Sequence, residues 1–469
     1  MIDKMSCLFL LLMSFQSFAE DNFGGLRQRL EKITKNSRIS TEQLSLLVAV
    51  HEGDRDHEVF SLQAKKMRIP ASLTKIFTAA AVLKAYQPSH QFITQLVAGD
   101  IAENGILKGP LYLRGGGDPS FVSENMWFLV NEFVRQDISE IKGGIVVDDS
   151  LFDNDLFPSR PDSRVDRAYD APISAMSFNW NSVNVFVRPG VAGGAARVFA
   201  DPENEYISIV NRAKTTKKSN IEVTRRTQAD RDEIIVSGEL AAGAAEKVVY
   251  KSISSPALWS GYNLKSFLKQ RGVRVEGGIR RGVSPKDAQV LAQSKSKALS
   301  LVLADLMKFS NNYVAEMLTK NLALKRVPVG TLDGGLEEIR AFIGSLGYKA
   351  EEFKIENASG LTNDSRFNVE QLVKALGFIR RRFDLAPEFM SSLPIAGIDG
   401  TLKNRMNNTD GERWIRAKTG LLTGAVGLAG FAGRADGVVL SFAFLYNGKG
   451  GEENLVRDLF DKLAVELVH

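Results

Sequence analysis

Ile69-Pro70-Ala71-Ser72-Leu73-Thr74-Lys75, continued by Ile76-Phe77-Thr78-Ala79-Ala80-Ala81-Val82-Leu83, decides how this chain is read. Pro70 suits the first turn of a helix. The run after it is apolar almost all round, the pattern of a helix inside a core rather than on a surface. Residues three apart share a helix face, so the Lys75 amine is within reach of the Ser72 hydroxyl. A serine at a helix N-terminus also sits in a positive field that favours developing negative charge. Ser72 is therefore the candidate nucleophile and Lys75 the candidate proton acceptor, provided burial or a second cation lowers the lysine pKa. The tetrapeptide alone is weak. Ser-x-x-Lys recurs at Ser139–Lys142, Ser266–Lys269 and Ser294–Lys297, and an isolated copy reads most simply as a helix cap followed by an exposed lysine.

Outward from this helix the chain reads as an α+β protein. Phe23–Asn36 has the spacing of an amphipathic helix through Leu26, Leu30 and Ile33. Two strands follow, Leu44–His51 and Glu58–Ala64, with Gly53-Asp54 as turn material. Near the other end Arg413–Thr419, Gly427–Gly433 and Val438–Tyr446 read as three more, the last two joined through Ala435-Asp436-Gly437. These five predict one antiparallel sheet closed by both ends of the chain, with helices on its faces. The segment from Phe92 to Asp287 has another character. Short Val/Ile runs punctuated by glycine, such as Leu111-Tyr112-Leu113 and Gly144–Val147, predict a β-rich insertion of one or two subdomains. Ala192–Ala196 and Thr215–Ser219 read as loop tips, and Ala292–Lys297 as the return linker. The expected organisation is a discontinuous domain of 20–91 and 296–469, with 92–295 inserted.

Two further motifs give Ser72 its context. Ser310-Asn311-Asn312 precedes the helical run Tyr313–Leu318. From there Ser310 can relay a proton and the Asn312 amide can bind a peptide group, although Ser-x-Asn also recurs at Ser177–Asn179 and Ser182–Asn184. Lys418-Thr419-Gly420 occurs once, on a strand that glycine ends. A lysine and a hydroxyl projecting from an edge strand suit a free carboxylate, and Gly420 lets a ligand lie against the backbone. Backbone N–H groups of Ser72 and Leu421 are the expected oxyanion donors.

In this order the three motifs resemble the penicillin-recognising serine acyltransferases. The chain looks like a class C low-molecular-mass penicillin-binding protein, the D-alanyl-D-alanine carboxypeptidase/endopeptidase family of the penicillin-binding protein 4 type. Further matching segments are Gly116-Gly117-Asp118-Pro119-Ser120, Val147-Asp148-Asp149-Ser150, Ser359-Gly360-Leu361 and Leu393–Leu402. The 238 positions from Ser72 to Ser310 are the most discriminating feature, because that family carries a large insertion there. The resemblance implies a transpeptidase/β-lactamase-like catalytic domain that cuts D-Ala-D-Ala, or the D-Ala–diaminopimelate cross-link, in peptidoglycan stem peptides. Ser72, Lys75, Ser310 and Asn312 would be catalytic, and Lys418, Thr419 and Gly420 would bind the terminal carboxylate. Asp149 and Arg366 are the candidates for holding the free, amino-acid-like end of the stem peptide. In Arg366 the spacing departs from the family pattern, because Thr362-Asn363-Asp364 intervenes after Ser359-Gly360-Leu361. Leu421 stands where relatives often carry serine or threonine, but an oxyanion contact uses backbone. β-Lactam antibiotics are the expected inhibitors.

Composition narrows the alternatives. Sixty Lys+Arg against 55 Asp+Glu leave a mild net +5. No basic run is interleaved with aromatics, and Arg380-Arg381-Arg382 reads as a solvated helix face, so nucleic acid is not an expected partner. Lys4, the apolar Leu8–Met13 and Ser17-Phe18-Ala19 form a signal peptide (1–19) cleaved after Ala19, which predicts a periplasmic protein. Cys7 is the only cysteine, so the mature chain would have neither disulfides nor thiol chemistry. The four histidines lack metal-ligand spacing, and no cofactor or metal is expected. No His–Asp pair stands ready to serve Ser72. Gly427-x-x-Gly430-x-x-Gly433 lies in a strand pattern and reads as packing rather than a phosphate loop. No later segment is long and apolar enough for a membrane anchor, and Asn454–Val468 reads as a core-packing terminal helix. The competing functions are a serine β-lactamase with fast deacylation and a non-catalytic peptidoglycan- or β-lactam-binding protein.

Overall fold

The computed structural model of the chain describes residues 23–52, 55–100, 102–156 and 166–469. The expected signal peptide with Cys7, and the turn at Gly53-Asp54, lie outside the described residues. Contacts divide the chain into two compact units. The first comprises residues up to Pro88, Leu303–Asn311 and Leu336–His469, and the second Ser89–Val302 and Asn312–Gly335.

The first unit is built on a five-stranded antiparallel sheet. Its strands are β1 (Leu44–Glu52), β2 (Arg55–Leu62), β3 (Ile415–Leu422), β4 (Ala425–Gly433) and β5 (Val439–Asn447), in the order β3-β4-β5-β1-β2. The chain thus closes one sheet with both its ends, as the sequence predicts. Alternation sorts its faces. Leu44, Leu46, Val48 and Val50 of β1 join Leu428, Phe442 and Phe444 in a core against α1 (23–35) and α4 (Glu453–Glu466). That core takes up Leu30 from α1, and Val456, Phe460 and Leu463 from α4. The terminal helix therefore spends its apolar face on the sheet, as expected for a core-packing element.

The opposite face carries α2 (Thr74–Ala85) and α3 (Val369–Arg380). Every residue of α2 from Thr74 to Leu83 is buried, in keeping with its lack of a polar face. An Asn368–Gln371 capping box starts α3: the Asn368 side chain accepts from Gln371 N at 2.9 Å, and Gln371 Oε1 accepts from Asn368 N at 3.0 Å.

The second unit holds a mixed five-stranded sheet in the order Ile279–Arg281, Ile145–Asp148, Leu111–Arg114, Ile93–Ala98, Gln289–Lys295. Three smaller three-stranded sheets accompany it, two of them at 182–252 and 207–237 and a third formed by Ile106–Leu107, Glu140–Ile141 and Arg274–Val275. Two helices, Ser123–Val134 and Pro256–Gln270, pack on the larger sheet, so the insertion is less purely β than its Val/Ile runs suggest. Met126, Leu129, Val130 and Phe133, at helical spacing, bury the first of them. Two local expectations change. The return segment Ala292–Lys297 is largely strand, with Gln289–Lys295 paired antiparallel to Ile93–Ala98, so the first and last strands of the insertion are neighbours. Thr215 is fully buried in a short strand paired with Glu239–Ala241 rather than lying at a loop tip. By contacts, Asn312–Gly335 groups with Ser89–Val302. The reason is polar: buried Lys320 donates to the carbonyls of Asp153 and Asp155 and pairs with the Asp153 carboxylate, while Asn321 donates to Gly117 O.

Candidate active site

The site in the first unit begins with two glycines. Gly420 on β3 faces Gly427 on β4. A Cβ at Gly427 would lie 2.7 Å from Leu73 Cδ1, and one at Gly420 would lie 2.9 Å from Pro70 O. The pair therefore leaves a recess in the sheet that the buried Leu73 side chain fills. Leu73 ends the single 3₁₀ turn Ala71–Leu73 that precedes α2. The recess thus seats the turn carrying Ser72 against the strand carrying Lys418-Thr419-Gly420. The glycine repeat from Gly427 is packing, as expected.

A second glycine contact fixes the turn from the other side. Gly360 has φ +74°, and a Cβ there would sit 2.0 Å from Ala71 O. Ala71 itself has φ +48°, unusual for a residue with a side chain. The loop Asn357–Leu361 is shaped by Asn357, whose Oδ1 accepts from Ser359 N at 2.7 Å and from Ser359 Oγ at 2.5 Å. That geometry aims the Ser359 carbonyl at the Ser72 turn. Lys75 Nζ lies 3.1 Å from Ser72 Oγ and donates to Ser359 O at 2.5 Å. Ser72 Oγ stands 3.5 Å from the same carbonyl. Lys75 is fully buried and Ser72 half-buried, so the hydroxyl alone of the pair is open to a ligand.

The third motif meets the second here. Lys418 is fully buried; its Nζ donates to Ser310 Oγ at 2.8 Å and to Thr419 O at 2.6 Å. Burial holds the Lys418 pKa well below its ordinary value, and the nearby Lys75 charge pushes it the same way. Thr419 Oγ1 donates to Thr401 Oγ1 at 2.8 Å. Ser310 sits at φ +55° between helices and sends its side chain to Lys418. Leu421 points its side chain outward, 53% exposed. Asn312 opens the helix Asn312–Ala323, which belongs to the second unit.

Asp149 and Arg366 have partners within their own units. In the second unit Asp149 accepts from Arg281 Nη2 at 2.8 Å and from Ser174 Oγ at 2.8 Å. In the first, the intervening Thr362–Asp364 folds into a tight turn, and Arg366 donates to the carbonyls of Asn363 and Ser365. His51 does pair with an aspartate, but away from Ser72. Its Nδ1 lies 2.6 Å from Asp56 Oδ1 and its Nε2 2.6 Å from Ser441 Oγ. Ser441 is wholly buried between strands, so this arrangement knits the sheet and admits no substrate. Burial pushes the Asp56 carboxyl up, but hydrogen bonds from His51 and Arg381 outweigh it and hold it well below the usual carboxylate range. Among the described residues no group of three His, Cys, Asp or Glu side chains could hold a metal ion. The Ser359 carbonyl, Asn357 and Thr401 were not singled out as site residues by sequence. Asn357-x-Ser359 ahead of a glycine was the available sign of the first two, and Thr401 stood within the matching segment Leu393–Leu402 with nothing to set it apart from its neighbours.

Residues 26–466 match the D-Ala-D-Ala carboxypeptidase 3 (S13) family. The chain belongs to that family. It is 31% identical over 438 residues to the D-alanyl-D-alanine carboxypeptidase of Actinomadura sp. (strain R39), covering 90% of this chain and 80% of that one. It is 25% identical over 455 residues to D-alanyl-D-alanine carboxypeptidase DacB of Haemophilus influenzae, covering 94% and 91%. Its fold is that of penicillin binding protein 4 from Haemophilus influenzae, with a TM-score of 0.76 at 21% identity over 93% of this chain and 99% of that one. It is also similar in fold to a predatory peptidoglycan endopeptidase from Bdellovibrio bacteriovorus, with a TM-score of 0.54 at 15% identity over 90% and 92%. The α+β fold and the resemblance to the penicillin-binding protein 4 type of D-alanyl-D-alanine carboxypeptidase, read from the motifs, both hold.

Proposed function

We propose that this S13 chain is a serine DD-peptidase that cuts D-Ala-D-Ala, and the D-Ala–diaminopimelate cross-link, in peptidoglycan stem peptides through a Ser72 acyl-enzyme. One observation carries the reading. Within a single unit, Lys75 Nζ reaches Ser72 Oγ at 3.1 Å and Lys418 Nζ reaches Ser310 Oγ at 2.8 Å, with Lys418 wholly buried beside Lys75. Two ammonium groups in one dry site disfavour each other's charge, the condition under which a lysine serves as a base.

In this mechanism Lys75 takes the Ser72 proton as Oγ attacks the penultimate D-Ala carbonyl. The tetrahedral oxyanion is held by the backbone N–H groups of Ser72 and Leu421. The C–N bond then breaks, and a proton passing through Ser310 leaves with the amine. Water next attacks the ester and frees Ser72. Lys418 and Thr419 bind the terminal carboxylate, and Asn312 binds a peptide group of the substrate; the space that Gly420 leaves is taken by the Ser72 turn rather than by the ligand. Asp149 and Arg366 are the proposed contacts to the free end of the stem peptide; Arg366 Nη1 is held by the Asn363 and Ser365 carbonyls, which leaves the rest of its guanidinium for a ligand. Residues 20–91 and 296–469 form the catalytic domain and 92–295 the insertion. Residues 1–19 direct the chain to the periplasm; no described helix is long and apolar enough to cross a membrane. β-Lactams acylate the same serine, because they present both a strained amide and a carboxylate.

The test is intact mass after mixing with benzylpenicillin. A one-to-one adduct mapping to Ser72 and absent from Ser72→Ala is expected. Labelling that survives the substitution would sink the reading, and rapid drug hydrolysis without an adduct would make the chain a β-lactamase.

A further inference from the structure

We infer that Thr401 is a positioning residue for carboxylate recognition, its hydroxyl orienting and polarising that of Thr419. This rests on the DD-peptidase reading and extends it to a residue outside the three motifs. Thr401 lies in the short turn Gly400–Leu402, which is pinned from several sides. A Cβ at Gly400, φ +57°, would stand 2.6 Å from Lys308 O. Lys308 Nζ pairs with Asp399 at 2.6 Å and donates to Leu393 O at 2.9 Å. Asp399 Oδ1 accepts from Ile395 N at 2.9 Å, and Leu402 is fully buried. The same loop runs along the free edge of β3, where Ile395 bridges Arg416 and Ala417 N donates to Pro394 O at 3.0 Å. Two residues further along that edge, Thr401 Oγ1 meets Thr419 Oγ1 at 2.8 Å, at the solvent-exposed end of the pairing.

A hydroxyl has one hydrogen and two lone pairs. Thr419 Oγ1 donates that hydrogen to Thr401 Oγ1. A carboxylate seated beside Lys418 needs that hydrogen, so Thr419 must turn it outward. Thr401 can then donate its own hydrogen to Thr419 Oγ1. The result is a chain from Thr401 through Thr419 to the carboxylate, in which each bond strengthens the next. Neither Gly420 nor Leu421 brings a hydroxyl to this part of the strand. Thr401 is thus the second hydroxyl at this point, and it arrives from a different loop.

The experiment compares wild type, Thr401→Val and Thr401→Ser. The second-order acylation rate is measured with benzylpenicillin and with its methyl ester, which lacks the carboxylate. Hydrolysis of a diacylated Lys-D-Ala-D-Ala peptide is followed in parallel. Losing a hydrogen bond that supports a charged group predicts a roughly tenfold slower reaction of Thr401→Val with the acid. Toward the ester it should stay within about twofold of wild type, the peptide effect should fall on KM rather than kcat, and Thr401→Ser should recover most of the loss. Equal rates for Thr401→Val and wild type toward the acid would overturn the inference. So would an equal loss toward acid and ester that serine does not restore, because that marks a merely structural role. A wild-type protein that penicillin does not acylate would instead remove the DD-peptidase reading, and this inference with it.

Discussion

Replacing Gly360 by alanine tests how the active-site turn is held. Gly360 stands at φ +74°, and its Cβ would fall 2.0 Å from Ala71 O, 2.6 Å from Ala71 C and 3.0 Å from Thr74 Oγ1. Two of these are backbone atoms that no rotamer change can move. Real Cβ contacts essentially never fall below 3.0 Å, so the loop or the turn must shift by about 1 Å. The left-handed conformation costs roughly 1–2 kcal/mol and the overpacking roughly 1–3 kcal/mol more. The shift falls on the Ser359 carbonyl, which holds Lys75, and on Ala71, which precedes the nucleophile. A misplacement of that size costs about a hundredfold in rate. Gly360→Ala is therefore expected to lose about 2–5 kcal/mol in urea unfolding and about two orders of magnitude in benzylpenicillin acylation, read by intact mass against time. Gly347→Ala is the control. It has φ +101° but nothing within 4 Å of its Cβ, so it should lose some stability and acylate normally. Wild-type acylation by Gly360→Ala would refute the argument that this contact sets the position of Ser72.

Two other perturbations probe buried charge. Asp118 is 2% exposed, and its Oδ2 has no hydrogen-bond partner. Burial raises its pKa from 3.8 to about 6, against hydrogen bonds from Ser120 and the charge of Lys297. Between those values the folded chain keeps a proton that the unfolded chain has lost, so stability falls as pH rises, by about 3 kcal/mol in all, and the deficit persists above the window. Asp118→Asn should therefore be more stable than wild type at pH 7.5 and should converge with it near pH 4 in urea titrations; equal stability at both would refute the buried-charge account. For Lys418, whose pKa is lowered chiefly by burial, the unfolded state binds the extra proton, so its contribution to stability rises with pH from the folded pKa toward 10.5. Lys418→Met should flatten that rise without lowering stability at neutral pH, and should slow penicillin acylation at least about a hundredfold; acylation near the wild-type rate would show that the carboxylate is bound elsewhere.

The parts of this protein that were legible in sequence are those where one residue type has one physical use. The all-round apolar run after Ser72 admitted only a buried helix, and α2 is buried from Thr74 to Leu83. The C-terminal strands β4 and β5 were legible as two short apolar runs joined through the turn at Gly437, whose φ is +87°. What stayed hidden depends on partners far apart in the chain. Thr215 looks like loop in a Thr-Thr-Lys-Lys-Ser run, and is buried only because Glu239–Ala241 pairs beside it. Arg381 reads as solvated in an Arg-Arg-Arg run, yet its side chain pairs with Asp56 on β2. The same logic explains why four Ser-x-x-Lys copies were indistinguishable as strings while only one of them is cradled. Ser72 is set by Leu73 in the Gly420–Gly427 recess and by Gly360 against Ala71, contacts that join residues hundreds of positions apart. A motif names the atoms that react. The glycines that allow a turn, a strand and a loop to approach within van der Waals distance place those atoms, and a glycine acquires that meaning only once its neighbours across the fold are known.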